Sequence, residues 1–269
     1  MPDRRRPVLS VEEALARILA AVRVLEPERV GLLEAAGRVL AEPVTADRDI
    51  PPLTNAAMDG YAVRGADVAH AAEGDPARLQ VVGEVAAGHV SPLRVEPGTA
   101  VRIMTGAPVP TGADTVVRFE DTRSEDDWVE VLKAYSTGKN VRQAGEDVCA
   151  GQVVLEPGRV LRPQEIGMLA AVGCVEAMAT QRPRVAILAT GDEVVPPDRT
   201  PGPGQIRDAN SYTVAAQVQA FGGIPLLLGV ARDREELVRR GMREALVQKA
   251  DFIITSGGVS VGDFDLVKQ

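Results

Sequence analysis

Three apolar stretches in the last third of the chain have the pattern of strands from a parallel sheet. They are residues 185–188, 224–230 and 252–255, and each is apolar or β-branched almost without a break. The third stretch, which opens the segment DFIITSGGVSVGDFD (251–265), predicts a strand buried on both faces. Polar residues with glycine follow each stretch, which places the predicted loops at the carboxyl ends of the strands.

Helical signals separate these predicted strands. Asn210 or Ser211 is expected to cap a helix that ends at Phe221 before a glycine pair. Asp233, with a glutamate three residues later, is expected to begin a helix that runs to about Lys249. Strands alternating with helices predict an α/β domain over residues 181–269.

The middle of the chain has the pattern of short strands separated by glycine and proline. The predicted strands are 79–85, 100–104, 115–120 and 128–132. Helical patterns flank this block: Ser10 has capping-box spacing with Glu13, a second helical stretch is expected around residues 30–39, and a third at 164–173. We therefore expect a β-rich domain (51–138) inserted into a helical and loop-rich linking domain (1–50 and 139–180).

Composition and charge exclude several classes of function. The net charge is -8 and aromatic residues are 3% of the chain, which argues against a nucleic-acid groove or a base-stacking surface. No apolar run reaches membrane-spanning length, and the two cysteines, Cys149 and Cys174, have no zinc-site spacing. These features favour a cytoplasmic protein without a nucleic-acid or membrane partner.

Polar side chains collect where the predicted parallel strands end. Because ligands bind outside the carboxyl ends of such strands, these residues are candidates for one site. They are Thr190, Gly191, Asp192 and Glu193 after the first strand, Asp233 after the second, and Ser256, Gly257, Gly258, Ser260, Asp263 and Asp265 after the third.

Two explanations fit this collection of residues. Each carboxylate or hydroxyl on its own could be a helix cap or a turn residue. Together, several carboxylates around a glycine-rich turn would repel one another unless a cation neutralised them. Glycine-rich backbone also brings N–H donors close to a phosphate. A phosphorylated ligand held with Mg²⁺ is therefore the stronger hypothesis.

Six segments, taken together and in order, resemble the molybdopterin molybdenumtransferases of the MoeA and gephyrin E-domain type. Each segment alone is a weak signal, whereas the ordered combination is specific. The segments are TNAAMDGYAVR (54–64), RIMTGAPVPTGADTVV (102–117), GEDV (145–148), ATGDEV (189–194), GQIRDANS (204–211) and TSGGVSVGDFD (255–265).

The resemblance implies a reaction, its substrates and its partners. Members of this family are homodimers that take adenylylated molybdopterin and molybdate, cleave the phosphoanhydride with Mg²⁺, release AMP and yield molybdenum cofactor. Their α/β domain is like that of the molybdopterin adenylyltransferase, which becomes a candidate partner. Family members also continue past the position of Gln269, so the resemblance leads us to expect a truncated chain.

The resemblance also assigns roles to individual positions. Glu193, Asp233 and Asp265 match acidic residues that line the Mg²⁺ and nucleotide site, and the turn from Ser256 to Ser260 matches the molybdopterin-binding turn. Asp59, Thr105 and Asp147 match functional polar residues of the other domains. Of these, Asp59 and Thr105 are expected to face the α/β domain of the partner subunit, although the spacing around Asp59 alone indicates a turn residue.

Two other functions stay open. A molybdopterin adenylyltransferase would share the α/β domain and the TSGG turn, but that smaller enzyme lacks the inserted domain and the MDGYAVR segment. A non-catalytic scaffold of the gephyrin kind would bind a partner's peptide at the dimer groove.

Overall fold

The computed structural model describes residues 9–257. Its helices are α1 (Val11–Ala21), α2 (Gly65–Val68), α3 (Pro163–Ala171), α4 (Asn210–Ala220) and α5 (Glu235–Val247). Its strands are β1 (Pro27–Gly31), β2 (Val44–Thr45), β3 (Asn55–Ala56), β4 (Gly60–Val63), β5 (Ala77–Val85), β6 (Thr99–Ile103), β7 (Thr115–Arg118), β8 (Thr122–Glu125), β9 (Trp128–Val131), β10 (Val141–Arg142), β11 (Val153–Leu155), β12 (Glu176–Thr180), β13 (Arg184–Thr190), β14 (Val194–Val195), β15 (Ile206–Arg207), β16 (Ile224–Ala231) and β17 (Phe252–Ser256).

The described residues divide into two compact units. We call residues 43–156 with 171–173 the β-rich unit, and the remaining described residues the α/β unit. The mixed α/β fold predicted from the sequence is confirmed. The finer division into three domains, with a separate linking domain, stays a prediction. Within residues 9–257, no helix combines the length and the apolar character that crossing a membrane requires.

The parallel sheet of the α/β unit has the order β16-β13-β17, with β13 at its centre. Alternate residues of β13 point to opposite faces, as strand geometry requires. Val185 and Ile187 pack with Ala215 of α4, whereas Leu188 packs with Val238 of α5. A helix therefore covers each face of the central strand, and the predicted α/β arrangement is confirmed.

The prediction that the third strand is buried on both faces is wrong for the described residues. Within residues 9–257, β17 pairs with β13 alone, and Phe252, Ile253 and Ile254 are 43%, 39% and 37% exposed. The apolar run correctly indicated a parallel strand. Burial depends on what covers the strand, and a run of sequence does not carry that information.

The caps of α4 and α5 differ from the prediction. α4 begins after Ala209, whose side chain makes no capping bond, and the Asp208 carboxylate accepts the N–H of Ser211 at 3.0 Å. α5 begins at Glu235, and its N-cap residue Arg234 makes no side-chain capping bond. Neither Asn210, Ser211 nor Asp233 therefore acts as the predicted cap.

At the N-terminal side, one helix prediction is confirmed and one is wrong. Ser10 and Glu13 form the expected capping box at the start of α1. The stretch 30–39, expected to be helical, instead contains the end of β1 and a series of turns, with Gly37 at φ 77°. β1 pairs antiparallel with β12, so a tertiary partner outweighs the helical spacing.

The β-rich unit contains a six-stranded sheet in the order β7-β4-β6-β5-β9-β8. β5 and β6 run parallel, whereas the other neighbouring pairs run antiparallel. The core lies on both faces, because Tyr61 and Val63 of β4 belong to one apolar cluster and Ala62 to another. All four predicted strands are present, although β7 ends at Arg118 and gives way to a 3₁₀ turn.

Candidate functional site

The carboxyl ends of β13, β16 and β17 meet at one edge of the parallel sheet. Thr190 pairs with Ala231 at the end of β16, and Ala189 pairs with Ser256 at the end of β17. The N–H of Gly191 also donates to the carbonyl oxygen of Ala231 at 3.2 Å. The residues predicted to follow the three strands therefore start from neighbouring positions.

Thr190 and Gly257 are in contact at this edge. A Cβ added to Gly257 would lie 2.8 Å from Thr190 Oγ1 and 3.0 Å from its carbonyl oxygen, and Gly257 has φ 123°. Both the lack of space and the backbone conformation require glycine here. Thr190 is 5% exposed, and its hydroxyl has no hydrogen-bond partner within the described residues. A buried hydroxyl without a partner is a candidate to bind a ligand.

The Glu193 carboxylate lies close to the backbone of Gly191. A Cβ at Gly191 would lie 2.6 Å from Glu193 Oε2, and Gly191 has φ 143°. The carbonyl oxygen of Glu193 also accepts the N–H of Ile206 at 2.8 Å, which ties the segment to the start of β15. Asp192 and Glu193 are both exposed. Their carboxylates are thus available to solvent at the end of the central strand.

Asp233 lies two residues beyond β16 at the same edge and is half-buried. The alternative explanation for this residue was a helix cap, and no side-chain capping bond forms at the start of α5. The structure therefore removes the structural role proposed for Asp233 and leaves its carboxylate at the end of the strand.

Four predicted site residues, Gly258, Ser260, Asp263 and Asp265, lie outside the described residues. Of the three proposed metal ligands, Glu193 and Asp233 lie within the described residues and Asp265 does not. Among residues 9–257, no group of three or more His, Cys, Asp or Glu side chains is arranged to hold a metal ion. Glu193 and Asp233 supply oxygen ligands of the kind that Mg²⁺ prefers, at the ends of adjacent strands.

In the β-rich unit, Asp59 and Thr105 form a hydrogen-bonded pair. Asp59 Oδ1 accepts the Thr105 N–H at 2.6 Å and the Thr105 hydroxyl at 2.7 Å. The hydroxyl bond, followed by the backbone bond, lowers the pKa of Asp59 below its ordinary value. Both side chains are exposed. The pair joins the MDGYAVR segment to the TGAP segment and holds an ionised carboxylate on the surface.

Asp147 lies in the loop that follows β10, and its carboxylate pairs with Arg142. The N–H of Asp147 donates to the carbonyl oxygen of Ile50 at 3.0 Å. β10 pairs with β3, which lies only a few residues before Asp59. Asp147 and the Asp59–Thr105 pair thus belong to connected segments of one unit.

Sequence reasoning missed three polar residues of these segments. Arg142 is the partner of Asp147, and a basic residue five positions before an acidic one in the NVRQAGED loop could have indicated the pair. Asp208 and Ser211 are 7% and 2% exposed at the start of α4, and the Ser211 hydroxyl has no partner within the described residues. Both belong to the segment GQIRDANS, for which the sequence predicted only a helix cap at Asn210 or Ser211 and no role in binding.

Two family models match the chain. "MoeA N-terminal region (domain I and II)" matches residues 9–173, and "Probable molybdopterin binding domain" matches residues 186–269. The first model covers the β-rich unit together with α1 and α3, and the second begins in β13 and includes the edge where Thr190 and Gly257 meet.

Curated relatives and solved structures agree with these models. A molybdopterin molybdenumtransferase from Nostoc sp. is 41% identical over 267 residues, which is 98% of this chain and 61% of the relative. The molybdopterin molybdenumtransferase of Bacillus subtilis is 38% identical over 99% of this chain and 63% of the relative. The chain thus spans about three-fifths of the length of these relatives.

A crystal structure described as the molybdopterin biosynthesis moeA protein of Pyrococcus horikoshii superposes with a TM-score of 0.85 at 36% identity. The match covers 93% of this chain and 67% of that structure. A second structure of that kind gives a TM-score of 0.78 at 34% identity over 94% of this chain and 64% of that structure. On these grounds, the chain belongs to the MoeA family.

Proposed function

We propose that this chain acts in molybdenum cofactor biosynthesis, in the Mg²⁺-dependent insertion of molybdate into adenylylated molybdopterin with release of AMP. The observation that carries this proposal is the contact between Thr190 and Gly257, beside the carboxylates of Glu193 and Asp233, at the carboxyl edge of the parallel sheet. The names of the relatives support the same reaction.

The residues at this edge would bind the phosphate groups of the substrate. The Thr190 hydroxyl, buried without a partner within residues 9–257, can donate a hydrogen bond to a phosphate oxygen. Glycine at position 257 lets the backbone approach that oxygen, because a side chain there would occupy the space against Thr190. Ser256, Gly258, Ser260 and Asp263 would extend the same turn.

Glu193, Asp233 and Asp265 would hold the Mg²⁺ ion. Two of these carboxylates follow adjacent strands, and carboxylate oxygen suits a hard divalent cation. When bound, Mg²⁺ would withdraw negative charge from the phosphoanhydride. The carboxylates would keep the ion next to the phosphate groups, and the absence of a side chain at Gly191 leaves the space that the Glu193 carboxylate occupies.

The β-rich unit would supply the second part of the site. Asp59 is ionised and held by Thr105, and Asp147 is paired with Arg142. In a homodimer, Asp59 and Thr105 would face the α/β domain of the partner subunit. A cytoplasmic location and an association with the molybdopterin adenylyltransferase complete the proposal.

The test is AMP release from adenylylated molybdopterin, measured with and without Mg²⁺ and molybdate. Asp233→Asn should reduce the release roughly 100-fold, because it removes one charged ligand of the ion. Asp198→Asn is the matched control, since Asp198 is exposed in the same unit and its replacement removes the same charge. Its rate should equal that of the unchanged protein.

Three outcomes separate the proposal from its alternatives. AMP release that requires both ions and fails in Asp233→Asn supports it. Formation of the adenylylated pterin from ATP and molybdopterin would point to an adenylyltransferase instead. Loss of activity in both aspartate variants to the same extent would mean that Asp233 has no special role at the sheet edge.

A further inference from the structure

A polar cavity lies in the β-rich unit. It has a volume of about 420 Å³ and is lined by the cationic side chains Arg118, Lys133 and Lys139 and by the carboxylate of Asp121. Three cations against one anion give this cavity a positive charge in a chain whose net charge is -8. A local charge opposite to that of the whole chain attracts anions to one place.

The carboxylate in this cavity is already engaged by its neighbours. Asp121 Oδ2 accepts the Tyr135 hydroxyl at 2.5 Å and Arg118 Nη2 at 2.9 Å. Tyr135 is 6% exposed and its ring belongs to the apolar core of the unit. We call the hydrogen-bonded side chains of Tyr135, Asp121 and Arg118 the floor of the cavity. The charges of Asp121 and Arg118 offset each other there.

The two lysines at the rim are in a different situation. Lys133 and Lys139 form no ion pair within 4.0 Å among residues 9–257, and both are exposed. The backbone around Lys139 is fixed by a turn in which its N–H donates to Ser136 and its carbonyl oxygen accepts the N–H of Val116. Two ammonium groups at one cavity repel each other, and a bound anion would relieve this repulsion.

The position of the cavity relates it to the segments described above. Met58, one residue before the Asp59–Thr105 pair, lines it, as does Asn140. The N–H of Ala57 donates to the carbonyl oxygen of Asn140 at 2.9 Å, so the two segments meet beside the cavity. The cavity therefore borders the MDGYAVR segment, and Asp59 itself is not among its lining residues.

We propose that this cavity binds a tetrahedral dianionic oxyanion, either molybdate or a phosphate monoester group, between Lys133 and Lys139. The choice of anion rests on the proposed function, whose substrates contain both chemistries. Lysine ammonium groups are compact point charges with three donors each, which suits tetrahedral oxyanions. The cavity volume leaves room for part of a larger molecule beyond the oxyanion.

The experiment is isothermal titration of the full chain with sodium molybdate and, separately, with inorganic phosphate at low ionic strength. The double variant Lys133→Gln/Lys139→Gln should bind at least about tenfold more weakly, because it loses two charge-assisted hydrogen bonds. Lys133→Arg/Lys139→Arg, which keeps both charges, should retain most of the affinity. Arg123→Gln/Lys249→Gln removes the same charge at exposed positions elsewhere and should bind like the unchanged protein.

Every outcome decides the proposal. Weaker binding of molybdate alone, or of phosphate alone, assigns the cavity to that anion, and weaker binding of both supports the shared chemistry. Equal affinity in the unchanged protein and in the glutamine double variant would overturn it, as would an absence of binding at about 10 mM anion. Both lysines are exposed, so thermal unfolding should confirm that the variants remain folded.

This measurement is independent of turnover. Anion binding that depends on Lys133 and Lys139 without any release of AMP would refute the proposed reaction and leave the oxyanion site in place. AMP release with lysine-independent anion binding would refute the oxyanion site alone.

Discussion

Replacing Tyr135 with phenylalanine removes one hydroxyl from the floor of the cavity in the β-rich unit. That hydroxyl donates to Asp121 at 2.5 Å and lies 3.4 Å from both Arg118 Nε and the Arg118 backbone nitrogen. The phenyl ring would keep its place in the apolar core, because the ring itself makes the core contacts. The substitution therefore tests the hydroxyl and its charged partner.

The expected loss follows from the kind of bond removed. A hydrogen bond to a charged group contributes about 1.5–3 kcal/mol to the free energy of unfolding. Asp121 keeps its bond to Arg118 Nη2 at 2.9 Å, so its carboxylate is not left without a partner. We therefore expect a loss of about 2 kcal/mol. With a urea m-value of about 1–3 kcal/mol/M, the midpoint should fall by roughly 1 M at unchanged m.

The chain contains one tryptophan, which makes the assay specific. Trp128 lies in β9 of the same sheet and is 37% exposed, so its fluorescence should report the unfolding of the β-rich unit. Tyr212→Phe is the control, because Tyr212 is 51% exposed on α4 of the other unit. A loss below about 0.5 kcal/mol, the range of ordinary surface substitutions, would refute the assigned role of the hydroxyl.

The same substitution has a predicted pH dependence. The Tyr135 hydrogen bond, followed by the one from Arg118, lowers the pKa of Asp121 below its ordinary value of 3.8. A carboxyl whose pKa is lowered in the folded state stabilises the protein above its unfolded pKa, and this stability is lost as the pH falls through the folded pKa. The difference in the free energy of unfolding between Tyr135→Phe and the unchanged protein should thus have its largest value above about pH 4 and decrease below that pH.

Three further substitutions test other contacts. Thr105→Val leaves Asp59 the backbone bond alone, so NMR titration should show the pKa of Asp59 rising toward its ordinary value, and AMP release should fall about tenfold. Glu165→Gln removes a buried carboxylate whose pKa the Arg162 hydrogen bond lowers to about 2. The variant should unfold at a lower temperature at pH 7 and should lack the loss of stability that the unchanged protein is expected to show between about pH 4.5 and 2. Melting temperatures that change with pH in the same way in both proteins would contradict this. Gly257→Ala places a methyl group 2.8 Å from Thr190 Oγ1 at a positive φ, so substrate binding should be lost, and unchanged binding would exclude a ligand at this turn.

The strands of the parallel sheet could be predicted because β13 is buried on both faces. Its residues Val185, Ile187 and Leu188 must all be apolar, and such a run is visible in the sequence. The helix prediction for residues 30–39 is wrong for the opposite reason. β1 is short and partly exposed, and its pairing with β12 depends on residues far along the chain.

The candidate site was predictable in its location and less so in its contacts. Parallel strands bring their carboxyl ends together, so the sequence alone allowed Thr190, Asp233 and Ser256 to be grouped. The pairing of Asp59 with Thr105 joins residues 46 positions apart, and no local pattern encodes it. Sequence spacing also predicted that Asp233 would cap α5, whereas the N-cap residue is Arg234 and its side chain makes no capping bond.

The pairing of β1 with β12 has a consequence for the order in which the protein forms during synthesis. Arg29 and Glu176 lie 147 residues apart and meet across these strands, whereas residues 43–156 of the β-rich unit are continuous in the chain. At a translation rate of about 5–20 residues per second, β1 leaves the ribosome on the order of ten seconds before β12. The β-rich unit can complete its sheet in that interval, whereas β1 stays unpaired until β12 has been synthesised.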